Sequence, residues 1–405
     1  MGKLRSLLST INYFTYGLFY NTMKKYLILP LIIFALLLSS CFRGGESKTV
    51  NASEHGVSEG NSGEENSKAL QALIDWAENS GKTIYIPAGE YEFAENGKQT
   101  IGSHCIKMRS GVSIVGDGEK TVLKPVGKSR YGLDMFYFND YLDKGEALYL
   151  ENCRFESFVI DASATSCEVY TSAGKGFMFN LFKNCHFKNI TVKNTDATGF
   201  GVDCPIDSTI TECVATGCGK AATEESSGAS GFGIGFGYSA EESIYISDCK
   251  SVGNKKFGFF LEHQGRFNLE KYSAIPQKSF DVKNCEAEEN LFGFGGIAAI
   301  NTVYDGCASS GARRCGFFFE NSFASEVKNC KSKGAKEACF SVVYGSHQEI
   351  FDEMKAICFS ACEGEGSPVG VLTLCDGSKK PRVEDCIFRE VEKEYVEQGY
   401  EFEIR

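Results

Sequence analysis

Apolar residues recur at one fixed offset before cysteines along most of this chain. Nine cysteines between Cys153 and Cys386 each follow an apolar residue by three positions. The pairs are Leu150/Cys153, Phe182/Cys185, Ile210/Cys213, Ile246/Cys249, Val282/Cys285, Tyr304/Cys307, Val327/Cys330, Phe359/Cys362 and Val383/Cys386. Residues three apart point to opposite faces of a flat strand, so each repeat must bend between the two. Repeats of variable length with one local pattern predict an all-β fold of stacked coils, a parallel β-solenoid.

A second recurring unit is a glycine followed by phenylalanine. The units are Gly176–Asn180, Gly199–Asp203, Gly231–Gly235, Gly258–Glu262, Gly293–Ile297 and Gly316–Glu320. Strand alternation turns their second and fourth residues inward and their third and fifth outward. The fifth position therefore predicts an outer column of side chains, which is Asn180, Asp203, Gly235, Glu262, Ile297 and Glu320. Adjacent strands lie about 4.8 Å apart, so Asp203 and Glu262 would be roughly 10 Å apart.

The first 41 residues predict an export signal. Lys24 and Lys25 precede an apolar run over 26–38, which suits a signal peptide and is too short to span a membrane. The run ends in Leu-Ser-Ser-Cys at Cys41, which resembles the bacterial lipobox, where the cysteine is lipidated. Met23 is then the predicted true start. We expect a lipoprotein of the cell envelope, anchored through Cys41.

The remaining boundaries follow from composition and spacing. Residues 42–66 are polar and Gly/Ser-rich, which predicts a flexible tether. Helical spacing then predicts a capping helix, with Asn66 or Ser67 as its N-cap and Gly81 as its stop, over Leu70, Leu73, Ile74 and Ala77. Residues 67–390 are predicted to form the solenoid and the Glu-rich 391–405 a C-terminal cap.

Charge and cysteine usage narrow the function. A net charge of −11 argues against a nucleic-acid partner, which needs a broad cationic surface. Eighteen cysteines in an exported chain suggest disulfides. Stacked side chains run parallel, however, and do not meet disulfide geometry. We predict mostly free, packed thiols, with Cys204 or Cys218 as candidates for any bridge, and see no zinc-binding spacing.

Two segments carry a family resemblance. Thr83–Tyr91 (TIYIPAGEY) and Gly111–Pro125 (GVSIVGDGEKTVLKP), after the helix, resemble the opening of the pectate-lyase-like superfamily of right-handed parallel β-helices. That superfamily contains lyases, hydrolases, epimerases and non-catalytic adhesins, so the resemblance implies the fold and leaves the reaction open.

Finer motifs match only in part. Gly201–Asp207 is similar to the Asp-Pro-His-Glu region of mannuronan C5-epimerases but lacks its His and Glu. Asn194–Asp196 and Gly231–Gly235 resemble polygalacturonase segments, but the Asp-Asp pair of those enzymes is missing.

The candidate site is the trio Asp203, Gly235 and Glu262. The two longest coils carry insertions at 219–230 and 264–278, which would form walls around the trio. Gly235 would leave room for a sugar ring. The predicted contacts for an acidic polymer also include the cations and neighbours Lys255, Lys256, Arg313, Tyr238 and Glu320.

Uronate chemistry suggests roles for these groups. Removing a proton next to a uronate carboxylate needs a base and a neutralising cation. His263 or Tyr238 is the candidate base, and Arg266 or Lys256 the candidate cation. By resemblance to pectate lyases, Asp203 and Glu262 are candidate calcium ligands. The competing interpretation is a packed His263 and ordinary solvated surface charges, above all at Glu320.

The leading hypothesis is an exported, lipid-anchored β-helix that binds an extended acidic polysaccharide. Its chemistry would be that of a uronate lyase or C5-epimerase. One alternative is a non-catalytic carbohydrate-binding or adhesin lipoprotein. Another is a polysaccharide hydrolase, since an inverting carboxyl pair needs about 6.5–9.5 Å, close to the estimated separation of Asp203 and Glu262.

Overall fold

Successive turns of the chain lay their strands side by side and, apart from Gly97–Lys98, parallel to one another. The computed structural model describes residues 48–140, 145, 147–345, 354–375 and 380–399. The predicted start at Met23, the apolar run and Cys41 lie outside the described residues. The predicted right-handed parallel β-helix is confirmed. Within the described ranges, no helix is both long and apolar enough to cross a bilayer.

A 21-stranded sheet forms two sides of each coil. The strands on its first side are Thr49–Asn51, Thr83–Tyr85, Ser113–Val115, Ser208–Thr211, Ile244–Ser247, Phe280–Lys283, Thr302–Asp305, Glu326–Lys328, Cys358–Ser360 and Arg382–Glu384. Those on its second side are Gly89–Phe93, Thr121–Pro125, Val214–Thr216, Lys250–Val252, Glu286–Glu288, Ala308–Ser310, Lys331–Lys333, Glu363–Glu365 and Ile387–Arg389. Arg154–Asp161 and His186–Lys193 are long enough to run along both sides.

A 13-stranded sheet forms the remaining side and carries the candidate site. Its strands are Gly97–Lys98, Ser103–Lys107, Leu133–Phe138, Leu150–Glu151, Phe177–Lys183, Phe200–Ile206, Phe232–Phe236, Phe257–His263, Phe292–Ile297, Cys315–Glu320, Ala338–Tyr344, Val369–Cys375 and Lys393–Gly399. A two-stranded pair, Gly127–Ser129 with Thr165–Cys167, and the 3-10 turns Ala52–His55, Gly118–Lys120 and Gln264–Arg266 complete the described elements.

The capping helix exists but begins earlier than predicted. Helix α1 spans Gly63–Trp76, and its N-cap is Ser62 rather than Asn66 or Ser67. Ser62 and Glu65 form a capping box, in which the Glu65 carboxylate accepts the Ser62 N–H at 2.9 Å. This reciprocal pair satisfies backbone donors that a start at residue 67 would leave without partners.

Two other boundaries need correction. Residues 49–66 are not a tether, because Thr49–Asn51 pairs with Thr83–Tyr85 and the helix follows. Lys393–Gly399 is not a separate cap, because it pairs with Val369–Cys375 as one more strand of the 13-stranded sheet. Both segments are polar in composition, but their backbone groups pair with an adjacent coil, which composition alone does not reveal.

A stack of phenylalanine rings covers the inner face of the 13-stranded sheet. The predicted register of the glycine–phenylalanine units is confirmed in every pairing from Phe177 to Phe317. Ring centroids are separated by 4.6–5.4 Å along the stack, which is Phe136, Phe177, Phe200, Phe232, Phe259, Phe294, Phe317 and Phe340. Each ring is fully buried, so the stack removes a large apolar area from water.

The glycine before each phenylalanine is required by close approach of the coils. A Cβ added at Gly258 would lie 2.5 Å from the carbonyl oxygen of Gly293, and one at Gly199 2.8 Å from that of Gly231. The obstacle is backbone of the next coil, so no side-chain rearrangement relieves it. Glycine at this position therefore fixes the spacing at which the phenylalanine rings stack.

The nine cysteines occupy two corners of the coil rather than one. Cys213 is in register with Cys249, and five more follow in the same column, namely Cys285, Cys307, Cys330, Cys362 and Cys386. Cys185 is instead in register with Ser208, because His186 pairs with Thr209. The interpretation of all nine cysteines as one stacked column was therefore wrong for Cys153 and Cys185.

The predicted bend before each cysteine is present at both corners. The residue before every one of these cysteines has a left-handed backbone, for example φ 58° at Asn152 and 51° at Asn284. Asparagine, aspartate and glycine adopt this conformation most easily, which accounts for their frequency there. Because both corners use this turn with a small residue after it, spacing alone does not separate them.

Every described cysteine is free, as predicted for the repeat, and Cys204 and Cys218 are also free and buried. In this column of seven, five thiols donate to backbone carbonyls of the preceding coil, namely those of Cys249, Cys307, Cys330, Cys362 and Cys386. The Cys307 thiol, for instance, lies 3.3 Å from the carbonyl oxygen of Val282. These thiols act as small apolar groups with one weak donor.

Replacing Gly258 with alanine should destabilise the protein by about 2–4 kcal/mol, since the new methyl group meets an immovable carbonyl. Gly60→Ala is the matched control, because its Cβ would meet only the Ser58 hydroxyl at 4.0 Å. Chemical unfolding of both variants measures the effect. Equal stability of the two variants would contradict the role given to the glycine column.

Candidate functional site

The outer column lies in register across the 13-stranded sheet. Asn180 pairs with Asp203, Asp203 with Gly235, and Gly235 with Glu262. Ile297 and Glu320 continue the column. The fourth residues of the same units, Val202 and Leu261 among them, are buried in the core, so the fifth residues face outward. Asp203 and Glu262 therefore lie on one surface, two coils apart.

The backbone has a left-handed conformation directly after two residues of the outer column. Leu181 and Cys204, directly after Asn180 and Asp203, have φ of 61° and 57°. This conformation is costly for such residues and persists where packing enforces it. Leu181, Cys204 and Tyr272 form one buried apolar cluster with Tyr149 and Tyr238 at its edge. The cluster thus packs against the two strands that carry Asn180 and Asp203.

The space above Gly235 is occupied, contrary to expectation. A Cβ at Gly235 would collide with the side-chain amide of Gln264 and would lie 2.6 Å from Asp203 Oδ1. The same Asp203 oxygen accepts the Gly235 N–H at 2.8 Å. The glycine therefore does not leave a gap for a sugar ring. It allows a carboxylate and an amide to lie against the backbone.

Glu262 is held by Arg266. The Arg266 Nε and Nη2 atoms donate to Glu262 Oε2 at 2.9 and 2.6 Å, and the two side chains are 18% and 28% exposed for Glu262 and Arg266. Burial raises the pKa of Glu262, and Arg266 opposes that rise, while the Asp203 carboxylate adds to it. Arg266 is thus already neutralised by a protein carboxylate.

His263 cannot serve as a catalytic base at this surface. Its side chain is fully buried, and its Nε2 lies 2.9 Å from the carbonyl oxygen of Ala274. Its Nδ1 accepts the Gly265 N–H at 3.1 Å, and its ring packs against Phe236. Burial lowers the pKa of His263, so the ring is neutral and serves to hold the loop that follows. The predicted catalytic role is contradicted.

Two lysines lie beside the carboxylates of the column. Lys256 interacts electrostatically with Glu262 and Glu320, and its Nζ donates to the carbonyl oxygen of Ser226 at 2.8 Å. Lys271, in the second insertion, interacts with Asp203. Burial lowers the pKa of both lysines. The insertions predicted to form the walls therefore each supply or contact a cation of this surface.

Lys255 and Arg313 do not join this group. Arg313 pairs with Glu224 at 2.9 Å and donates to the backbone carbonyl of Lys255 at 2.8 Å. Their predicted contribution to polymer binding is not supported by this placement.

The calcium prediction does not fit the residues present. Asp203 Oδ1 accepts a backbone N–H, and Glu262 Oε2 accepts two guanidinium donors. An arginine at the coordinating oxygen competes directly with a cation. Among the described residues no three or more His, Cys, Asp or Glu side chains are grouped to hold a metal ion.

Sequence reasoning missed Glu242, a buried carboxylate beside Tyr238. It is fully buried, and it accepts the backbone N–H groups of Gly237, Tyr238 and Ser239 at 2.6, 3.1 and 3.1 Å. Burial raises the pKa of Glu242 to about 7, although the backbone donors oppose this. Glu242 thereby shapes the turn that presents Tyr238, whose ring lies 6.3 Å from that of Tyr272. Its position in a polar run, next to exposed Glu241, gave no signal of this role.

These features define a class, a solenoid with a charged outer surface flanked by long loops. Residues 49–273 match the family model for rhamnogalacturonase A/epimerase, pectate lyase-like, so the chain belongs to that family. An 86-residue segment is 36% identical to mannuronan C5-epimerase AlgE1 of Azotobacter vinelandii, spanning 21% of this chain and only 6% of that protein.

Solved structures agree on the fold. The A-module of mannuronan C-5 epimerase AlgE6 from Azotobacter vinelandii superimposes with a TM-score of 0.56 at 15% identity, covering 87% of this chain and 100% of the module. The surface adhesin PfbA of Streptococcus pneumoniae superimposes with a TM-score of 0.54 at 11% identity, covering 86% and 93%. An enzyme and an adhesin thus share this architecture, and at such identities the likeness extends to the fold alone.

Glu242 predicts a pH dependence of stability. A carboxyl whose pKa is about 7 when folded and 4.5 when unfolded favours the folded state most at low pH. Between pH 5 and pH 8 this group should lower the free energy of unfolding by about 2–3 kcal/mol. Glu242→Gln should remove that pH-dependent component, measured by urea unfolding at both pH values.

The exposed neighbour provides the control. Glu241→Gln should keep the wild-type difference between pH 5 and pH 8. If the Glu242→Gln variant keeps the wild-type difference in free energy of unfolding between pH 5 and pH 8, Glu242 does not titrate in this range.

Proposed function

We propose that this protein binds an extended acidic polysaccharide along the outer column, between the loops 219–230 and 264–278. The observation that carries the proposal is the placement of two lysines, Lys256 and Lys271, beside the column in a chain of net charge −11. A local cluster of cations can attract an anionic polymer despite a negative total charge. Family membership supports a carbohydrate ligand.

The two lysines are the proposed contacts for uronate carboxylates. Both lose hydration on burial, which lowers their pKa. A bound carboxylate would offset that cost and form a charge-assisted hydrogen bond. Arg266 has a different role in this proposal, since its pairing with Glu262 shields the polymer from one of the two carboxylates.

The pair of tyrosines beside Asp203 supports a sugar ligand. Tyr238 is half-buried, and its ring lies edge-on to Tyr272 in the cluster beside Asp203. Such rings combine an apolar face with a polar tip, which suits the mixed surface of a sugar. Tyr238 also remains the candidate base for lyase or epimerase chemistry, with Lys271 as the neutralising cation.

The non-catalytic alternative has its own support. Asp203 and Glu262 are both engaged by protein donors, and the predicted histidine base is buried. A surface of this kind can bind a polymer without acting on it. A hydrolase would need two carboxyl groups directed at the glycosidic bond, which these engagements disfavour.

The proposal predicts that Lys256→Ala/Lys271→Ala weakens binding of uronate oligomers at least tenfold and makes the remaining binding less sensitive to salt. The matched control is Lys188→Ala/Lys331→Ala, two exposed lysines on the 21-stranded sheet. Calorimetry with oligomannuronate and oligogalacturonate measures the affinities. Wild-type affinity in the Lys256→Ala/Lys271→Ala variant, or no uronate binding by the wild type, would refute the proposal.

Analysis of the products in the same mixtures of protein and uronate oligomer distinguishes the reaction classes. A lyase leaves an ultraviolet-absorbing double bond, an epimerase inverts C5 without cleavage, and a hydrolase releases new reducing ends. Binding with none of these products supports the adhesin-like alternative.

We also propose that the protein is exported and anchored through a lipid on Cys41, on the strength of the apolar run and the lipobox-like ending. Cys41→Ser in the full chain should move the protein from the membrane fraction to the soluble envelope fraction, because a signal sequence alone does not retain it. Mass spectrometry of the mature N-terminus checks the modification. An unmodified cysteine in wild-type material would contradict the anchor.

A further inference from the structure

Phe267 is a large apolar side chain that lies in solvent beside the outer column. It is 62% exposed, whereas the phenylalanines of the interior stack are fully buried. It directly follows the 3-10 turn Gln264–Arg266, which begins where the strand Phe257–His263 ends. A single exposed ring is common on protein surfaces, but this ring is held in place by residues of the candidate site.

Two contacts connect the turn before Phe267 to the outer column. The Gln264 side-chain amide lies against Gly235, and the Arg266 guanidinium donates to Glu262 Oε2 at 2.9 and 2.6 Å. The same guanidinium lies over the Phe267 ring, 4.1 Å from its centroid. Because a guanidinium is planar and donates within its plane, it bonds the carboxylate at its edge while its face covers the ring. Phe267 is therefore adjacent to the column and has one face covered.

The other face of the Phe267 ring is open to a ligand. With Arg266 against one face, the large exposed fraction of the side chain belongs mainly to the opposite face and the ring edge. An aromatic face is apolar and carries a negative quadrupole, so it suits the C–H groups on the face of a pyranose ring. A ring that is already held in position also loses little conformational freedom when a ligand binds. In the same loop, Lys271 interacts with Asp203 and offers charge to a uronate carboxylate.

We propose that Phe267 is a sugar-stacking residue of the polysaccharide site, with the apolar face of one pyranose ring of the polymer packed on its open face. The inference rests on the proposed function and adds an apolar contact to the charged contacts of Lys256 and Lys271. Arg266 then both neutralises Glu262 and orients the Phe267 ring. Because an apolar contact is not screened by ions, this part of the affinity does not depend on salt.

The test is calorimetry of the full chain with hexamannuronate at about 50 and about 200 mM salt. Phe267→Ala should weaken binding about tenfold at both salt concentrations, which is the loss of one aromatic contact. Phe267→Tyr keeps the ring and should bind as the wild type does. Tyr245→Ala is the matched control and should also bind as wild type. Tyr245 lies on the 21-stranded sheet, is 39% exposed and has Lys283 Nζ over its ring at 5.5 Å.

The salt dependence separates stacking from an effect through Arg266. If Phe267 only held Arg266 in place, Phe267→Ala would leave Glu262 free to repel the polymer, and the loss of affinity would shrink as salt rises. That result, or wild-type affinity in Phe267→Ala, would overturn the inference.

Thermal unfolding checks for a structural role of the ring. Because Phe267 is exposed, Phe267→Ala should keep the wild-type unfolding temperature. A variant that melts earlier and binds more weakly would assign the ring to loop stability and overturn the inference. Absence of hexamannuronate binding by the wild type would instead refute the proposed function, a failure visible before any variant is made.

Discussion

The close stacking of parallel coils is the constraint on which the rest of this structure depends. Glycine before each phenylalanine lets the backbone of one coil approach the carbonyl of the next, and the rings then stack without a break through the core. Because parallel pairing transmits register from coil to coil, it also fixes the outer face. Asp203 and Glu262 share a surface for the same reason that Phe200 and Phe259 share a stack.

The charged surface depends on partial burial as much as on charge. Lys256 and Lys271 are close to carboxylates, yet burial lowers their pKa. Exposed ion pairs, such as that of Lys188 with Glu212, contribute little and are screened by salt. The insertions account for the partial burial of these two lysines, because they cover the ends of the strands and reduce the exposure of the lysine side chains. Recognition of an acidic polymer by an acidic protein is thus a local property of this surface.

Much of the fold could be read from the sequence, because a period of two along strands determines which side chains face inward. That rule placed the phenylalanine stack and the outer column correctly. It could not separate the two corners of the coil, since Cys185 and Cys213 follow equivalent turns. Helical spacing gave helix α1 a late start, because the polar Ser62–Glu65 capping box resembles a linker in composition.

The candidate site was harder to predict for a different reason. The burial of His263, the occupation of the space over Gly235 and the role of Glu242 all depend on loops that follow strands. Strand periodicity does not extend into those loops, and each of these residues looks ordinary in the sequence. Phe267 was placed in the second insertion by its position in the sequence, but the guanidinium over its ring is visible only in three dimensions.

Hydrogen exchange measured with and without a bound uronate hexamer tests the central claim most directly. If the polymer lies along the outer column, the ligand should slow amide exchange in 200–206, 232–238 and 262–272. Exchange on the 21-stranded sheet, for example in 208–211 and 244–247, should not change. Protection confined to the 21-stranded sheet would contradict the account, because the ligand would then occupy a face on which the column has no part.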